Sequence, residues 1–351
     1  MTIKIDLYSD TITQPSSQMR MFMSNAQVGD EQKGEDPTVN ELEKRVVALL
    51  NKPAALFLPS ATMANQIALK THSNPGDEII AEFNSHVLHY EVGGPAFHSG
   101  VMVHGINGTR GCFTSEQAKA AIRPKSVYMP NTRLIWVENT NNLAGGTIWT
   151  LEDLSDISDL AKEHGLAVHM DGARLLNAVV ASGIPAHVFT AHADTVTLCF
   201  SKGLGCPAGA MLAGSAEFIA RARKYKHLFG GAMRQTGMIA SSALFALEHN
   251  INRLEQDHHN ARRLANGLAY IPGLVINPDA VETNIVFFEC QPGLDEAKFY
   301  ERCLEKGLRF SHLYRRLRAV THLDVTQTDI DHAIGIAKEV CEEMRAAAGI
   351  A

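Results

Sequence analysis

The chain has 351 residues, of which 45% are hydrophobic and 20% charged, and carries a formal net charge of −6. That balance is globular, excludes a disordered chain, and offers no basic face of the kind nucleic acid requires. The six cysteines, at 112, 199, 206, 290, 303 and 341, lack CxxC spacing, so neither a zinc site nor a disulfide framework is expected; with no apolar run of roughly 20 residues, no membrane span is expected either, and the reading is cytoplasmic.

Residues 1–20 read as an N-terminal arm. From 21 to 250 short β-branched runs alternate with helical patterns: AALFLPS (54–60), DEIIAE (77–82), VMVHGI (101–106), RLIWVENT (133–140), LAVHMDGA (166–173), TVTLCFSK (195–202) and AGAMLAGS (208–215). These predict an α/β large domain with a mostly parallel seven-stranded sheet flanked by helices. One helix candidate, TMANQIALKTHS, follows the first run. Another, LEDLSDISDLAKEHG, follows the fourth, opened by a Thr150 and Asp153 capping pair and closed by Gly165. MIASSALFALEHNINRLEQDHHNARRLANGL reads as one long helix leading into a smaller C-terminal α/β domain, 251–351. There TNIVFFEC, LRFSHL and RLRAVTHLDV read as strands, and LDEAKFYERCLEKG and TDIDHAIGIAKEVCEEM as helices.

Ligands of open parallel sheets bind beyond the carboxyl ends of the strands, so the residues closing each run matter most. The first run ends in Ser60, Ala61 and Thr62 at a helix start. Backbone N–H groups and hydroxyls there can seat a phosphate, or Ser60 can simply cap the helix. The fourth ends in Glu138, Asn139 and Thr140. Asp171 closes the apolar LAVHMD and needs a cationic partner, either Arg174 or a protonated ring nitrogen. Lys202 closes TVTLCFS and is either a snorkelling lysine or an amine nucleophile for carbonyl chemistry. Gly203-Leu204-Gly205 does not make a dinucleotide fingerprint, because position 208 is Ala208 and a strand follows where a helix is needed.

This set, together with SDTIT (9–13), GEDPTVNELE (34–43), HVLHYEVGG (86–94), HMDGARLLNA (169–178), GGAMRQTG (230–237) and RAVTHLDV (318–325), resembles the pyridoxal-phosphate enzymes of the aspartate-aminotransferase fold class, fold type I. More narrowly, it is similar to the threonine aldolase branch of the β-eliminating lyase family. The resemblance implies pyridoxal 5'-phosphate bound covalently to Lys202, its ring nitrogen held by Asp171 and its phosphate by Ser60, Ala61 and Thr62. It implies that His86 stacks on the ring and serves as general base, and that Arg174 and Arg318 grip the substrate carboxylate with help from Ser9. Arg234 would reach the phosphate of a neighbouring subunit, which implies a homo-oligomer, a dimer of dimers with shared active sites.

The implied reaction cleaves a β-hydroxy-α-amino acid, such as L-threonine, L-allo-threonine or phenylserine, to glycine and an aldehyde. Racemisation, β-elimination and transamination on the same scaffold are the alternatives. No metal is implied, since the two histidines of HVLH have no further ligands beside them. Five positions depart from the family pattern: Tyr8 for arginine, Lys33 for tyrosine, Tyr128 for histidine, Asn141 for histidine and His227 for lysine. Lys33 and Tyr128 are therefore candidate substrate-binding residues that alter the preferred side chain.

Overall fold

The computed structural model describes residues 2–313 and 316–349. In chain order its strands are β1 (Ile5–Asp6), β2 (Ala54–Leu58), β3 (Glu78–Glu82), β4 (Met102–Ile106), β5 (Thr132–Glu138), β6 (Ala167–Gly172), β7 (Thr195–Cys199), β8 (Ala210–Gly214), β9 (Leu274–Val275), β10 (Ile285–Cys290), β11 (Leu308–Arg309), β12 (Ser311–Leu313) and β13 (Arg316–Val320). Two compact units form, one from Pro15–Ile251 and one from Met1–Gln14 with Asn252–Ala351. The segment expected as a separate arm is thus divided at Gln14. β1 belongs to the C-terminal unit, pairing in parallel with β11, where Asp6 also meets the Arg309 guanidinium.

In the larger unit all seven expected runs form one sheet of order β2-β8-β7-β6-β5-β3-β4. Only β8 runs against its neighbours, antiparallel to both β2 and β7. Because β8 reverses direction twice over, β2 runs the same way as β7. The carboxyl ends of β2, β3, β5, β6 and β7 therefore share one edge of the sheet. Every residue of β7 and β8 is buried, the pattern of strands covered on both faces. The expected cap is present, with Thr150 Oγ1 accepting from the Asp153 N–H, and the helix Leu151–His164 ends on Gly165 in the left-handed region.

The stretch expected as one long helix is two, Gly237–His249 and Leu254–Ala269. Asn250 and Asn252 lie in the break, and asparagine competes for local backbone hydrogen bonds instead of extending a helix. The Asn250 side-chain amide donates to the Leu204 carbonyl at 2.7 Å. The boundary between the two units also falls here, between Ile251 and Asn252. No helix among the described residues is long and apolar enough to cross a membrane.

The smaller unit holds an antiparallel sheet of order β12-β13-β10-β9. LRFSHL is not one strand but two, β11 and β12, because Phe310 turns into the core. Its ring meets Phe288 edge-on at 5.3 Å, and Phe288 meets Phe299 at 6.4 Å. Burial of each ring contributes roughly 1.5–3 kcal/mol.

Half-buried His72 and buried His169 link the helix Ala61–His72 to the sheet through one hydroxyl. Thr195 Oγ1 lies 2.8 Å from His72 Nε2 and 2.8 Å from His169 Nδ1. Burial, with Arg221 nearby, pushes His72 down to about 3, and burial with His72 nearby drives His169 well below the usual imidazole value. Below about pH 6.5 the unfolded chain binds protons that the folded chain refuses, so stability falls as pH falls. The expected loss is roughly 1.4 kcal/mol per pH unit per histidine. Thermal unfolding between pH 7 and 5 should show it, with a shallower slope for His72→Gln; an unchanged slope would remove His72 from the account.

Candidate active site

The shared carboxyl edge is assembled by main-chain hydrogen bonds. The Phe200 N–H donates to the Gly209 carbonyl at 3.0 Å, and the Gly209 N–H to the Pro59 carbonyl at 3.0 Å. The Lys202 turn, closed by Gly205 N–H to Lys202 C=O at 2.8 Å, is thereby tied to the residue preceding Ser60. Gly209 has φ +114°, and a Cβ there would stand 2.9 Å from the Phe57 ring. Only glycine lets the chain return so close to β2. Lys202 is half-buried at the end of this turn.

Ser60 caps the helix Ala61–His72, its hydroxyl accepting from the Met63 N–H at 3.2 Å. The first-turn N–H groups have no intrahelical acceptor, and with the helix dipole they suit an anion. Ser60 and Thr62 are exposed and Ala61 is half-exposed. The GGAMR segment passes directly over this turn, since a Cβ on Gly231 would lie 2.2 Å from Met63 Sδ.

Asp171 and Glu138 are register partners on β6 and β5, so two buried carboxylates stand side by side. Asp171 Oδ1 accepts from the Ala173 N–H at 3.0 Å and Oδ2 from Asn65 Nδ2 at 2.8 Å. The second hydrogen of Asn65 Nδ2 goes to Glu91 Oε1, also at 2.8 Å. Gln66 Nε2 donates to Glu91 Oε2, and His86 Nδ1 lies 3.0 Å from Glu91 Oε1. Glu138 accepts from the His86 N–H at 2.6 Å and the Asn142 N–H at 2.8 Å.

Burial and then the charge of Asp171 push Glu138 up to about 7. Burial opposes a charged His86, but the Glu91 hydrogen bond and the charges of Asp171, Glu91 and Glu138 together carry it above the ordinary imidazole value. Ligand atoms of His86, Glu91 and Asp171 lie within 4.8 Å of one another. Amide hydrogens of Asn65 and Gln66 point at those carboxylates and occupy part of their accepting capacity.

Arg174 is buried where β6 passes into the helix Leu175–Ser182, with Nη1 3.4 Å from Asn142 Oδ1. Arg234 is exposed and pairs with Asp30 at 2.8 Å. Lys33 is exposed on the neighbouring turn Glu31–Lys33, whose Glu31 N–H donates to the Arg234 carbonyl at 3.1 Å. His227 is exposed on the helix Ala216–Leu228. The adjacent Lys226 is buried in an ion pair with Glu31.

Asn141 serves the backbone. Its Oδ1 accepts from the Ala144 N–H at 3.0 Å, and its own N–H donates to the Thr147 carbonyl at 3.1 Å. Tyr128 is not brought to the edge that holds Lys202 and Asp171. It is 93% exposed on the connection entering β5 at the opposite edge, and the three residues between it and Thr132 cannot span a seven-residue strand.

Within the smaller unit Arg318 is buried on β13, where Nη2 donates to Ser311 Oγ at 3.2 Å and to the Tyr8 carbonyl at 3.3 Å. Ser9 is buried beside Tyr8 and caps the turn Asp10–Ile12, accepting from the Thr11 N–H at 3.2 Å. The Arg309 guanidinium lies 5.0 Å from the centre of the Tyr8 ring. Ser9, Tyr8 and Arg318 thus come together as a group.

Glu91, Asn65 and Gln66 have no role in the sequence reading, although they bind two of the groups it names, Asp171 and His86. The available signal is a polar pair, Asn65-Gln66, in an otherwise apolar helix face. Glu138 stands in the quoted strand ends, and its register with Asp171 gives it weight.

A family profile for β-eliminating lyases matches residues 6–291. The chain is 40% identical over 337 residues to low-specificity L-threonine aldolase 1 of Arabidopsis thaliana, covering 94% of each. The chain belongs to the threonine aldolase branch of the β-eliminating lyase family. The low specificity L-threonine aldolase of Escherichia coli K12 is 36% identical over 327 residues, with 93% of this chain and 96% of that protein covered. In fold, the chain matches a solved structure of Leishmania major threonine aldolase with a TM-score of 0.82 at 20% identity, covering 96% of this chain and 99% of that one.

Enzymes of this family depend in general on pyridoxal phosphate. The residues at the carboxyl edge fit that group: a buried carboxylate whose hydrogen-bond partners are amides suits a protonated pyridine nitrogen, and the Ser60 helix start suits a phosphate.

Proposed function

We propose that the protein is an aldolase of β-hydroxy-α-amino acids, releasing glycine and an aldehyde, with pyridoxal phosphate held covalently by Lys202. The observation that carries this reading is the shared edge at which main-chain bonds tie the Lys202 turn to the Ser60 helix start, with Asp171 on the strand paired to β7. When bound, the cofactor supplies an electron sink for the pair left on Cα as the bond to Cβ breaks.

The chain's own residues do the rest. Asp171 keeps a proton on the ring nitrogen, because its buried carboxylate is anchored by Asn65 and Ala173 and cannot turn away. Arg174, and in the smaller unit Arg318 with Ser9, are each candidates to bind a substrate carboxylate through the planar guanidinium fork. His86 takes the proton of the β-hydroxyl. Since its pKa lies above the usual value and only the neutral ring accepts a proton, kcat should rise with pH through a limb above about 6.5. His86→Asn should remove that limb and lower kcat by about 10²–10⁴. An unchanged pH profile would assign the base elsewhere.

The active unit is a homo-oligomer, a dimer of dimers. Exposed Arg234, with Val92 at 98% and Phe97 at 85% exposure, supports contact with a further copy. Lys33 and Tyr128 are candidate substrate contacts across such an interface. Six free cysteines fit the cytoplasm. Incubating the purified protein with threonine, allo-threonine and phenylserine should release glycine and aldehyde in equal amounts. Release of only an oxoacid or the opposite enantiomer would overturn the aldolase reading.

A further inference from the structure

His86 is gripped at two points by two different buried carboxylates. Glu138 accepts from its backbone N–H at 2.6 Å, and Glu91 meets its ring at Nδ1 at 3.0 Å. A ring that only needs to stack on a neighbour requires neither contact. The direction of the second bond is fixed by the surrounding amides. Asn65 Nδ2 has two hydrogens, and both are used, one on Asp171 Oδ2 and one on Glu91 Oε1. Reversing that amide would aim its carbonyl at two carboxylates.

Gln66 Nε2 occupies the other oxygen, Glu91 Oε2. A Cβ on Gly94 would stand 2.6 Å from Gln66 Cδ, so the backbone of the HVLHYEVGG loop closes over that amide. Glu91 is thus a buried acceptor for two amide donors, and the third group facing it, His86 Nδ1, must also donate.

We infer that Glu91 is a positioning residue, fixing the His86 ring in the Nδ1–H tautomer so that Nε2 carries the lone pair that accepts the substrate's hydroxyl proton. Its catalytic part rests on the aldolase reading; the tautomer does not. The proton balance is simple: Nε2 gains the hydroxyl proton, Nδ1 keeps its own, and Glu91 remains an anion facing a cationic ring. Asn65 couples this pair to Asp171, so one amide registers the proton-accepting histidine against the carboxylate for the pyridine nitrogen. The groups facing His86 are Glu91, Asp171, Glu138 and the Tyr90 ring, whose centre lies 5.7 Å away.

The test uses the full-length protein labelled with 15N-histidine, with and without added pyridoxal phosphate, and the His86 resonance identified by its loss in His86→Asn. The neutral ring should show the Nδ1–H tautomer in both states. In Glu91→Gln the tautomers should mix and the His86 pKa should fall. With threonine, kcat of that variant should drop about 10- to 100-fold while KM changes little, and Glu91→Asp should recover part of the loss. An Nε2–H tautomer in the unaltered protein overturns the inference without any variant, even if Glu91→Gln fails to fold. A Glu91→Gln variant with unchanged tautomer, pKa and kcat also overturns it. Failure to cleave any β-hydroxy amino acid would sink the aldolase reading and leave the tautomer measurement intact.

Discussion

Lys202→Ala is expected to abolish both the visible absorption of bound pyridoxal phosphate and the release of glycine, lowering activity by more than about 10³-fold. The fold should survive. Lys202 is half-buried at the tip of a turn that is closed by main-chain bonds, Gly205 N–H to Lys202 C=O and Phe200 N–H to Gly209 C=O. None of these needs the side chain, so the cofactor-free variant should keep the secondary structure and cooperative unfolding of the cofactor-free parent. A variant that remains yellow and active would remove the lysine from the chemistry and with it the central assignment.

Asp171→Asn is expected to keep Lys202 available but to lower kcat by on the order of 10²–10³, the range typical of deleting one preorganised electrostatic stabiliser. A second consequence separates this from a packing defect. Glu138 stands up at about 7 through burial first and the Asp171 charge second, so removing that charge brings it part of the way down and leaves the burial. A carboxyl raised in the folded state binds a proton that the unfolded chain releases. Its stabilising contribution is therefore complete below about pH 4.5 and is lost as pH rises through about 7. In Asp171→Asn this loss should be smaller and should come at lower pH. It is read as the pH dependence of unfolding in the cofactor-free protein, or as the infrared band of a protonated glutamic acid. Equal profiles for the two proteins would show that Asp171 does not govern Glu138.

The sheet was legible because buried parallel strands are continuous β-branched runs, and TVTLC or AALFL can hardly be read otherwise. The direction of β8 was not, since an apolar run carries no arrow. Lys202, Asp171 and Ser60 stood out because a polar residue closing an apolar strand demands a reason. Glu91 made no such demand: it sits in a loop, and its burial depends on Asn65 and Gln66 folding over it from a distant segment. The break at Asn250 was hidden by apolar periodicity continuing on both sides. Tyr128 was a matter of alignment to a family position, and neighbouring sequence says nothing of which sheet edge a connection occupies.

The two bonds made by Gly209 have a consequence for how such an enzyme changes over time. The spacing between the lysine turn and the Ser60 helix start is set by amides and carbonyls, Phe200 to Gly209 and Gly209 to Pro59. Side-chain replacement cannot erase those groups. Side chains around this edge can therefore be exchanged without altering the spacing between Lys202 and the Ser60 helix start. Redesign of the side chains around that edge can proceed, provided Gly209 itself is left untouched.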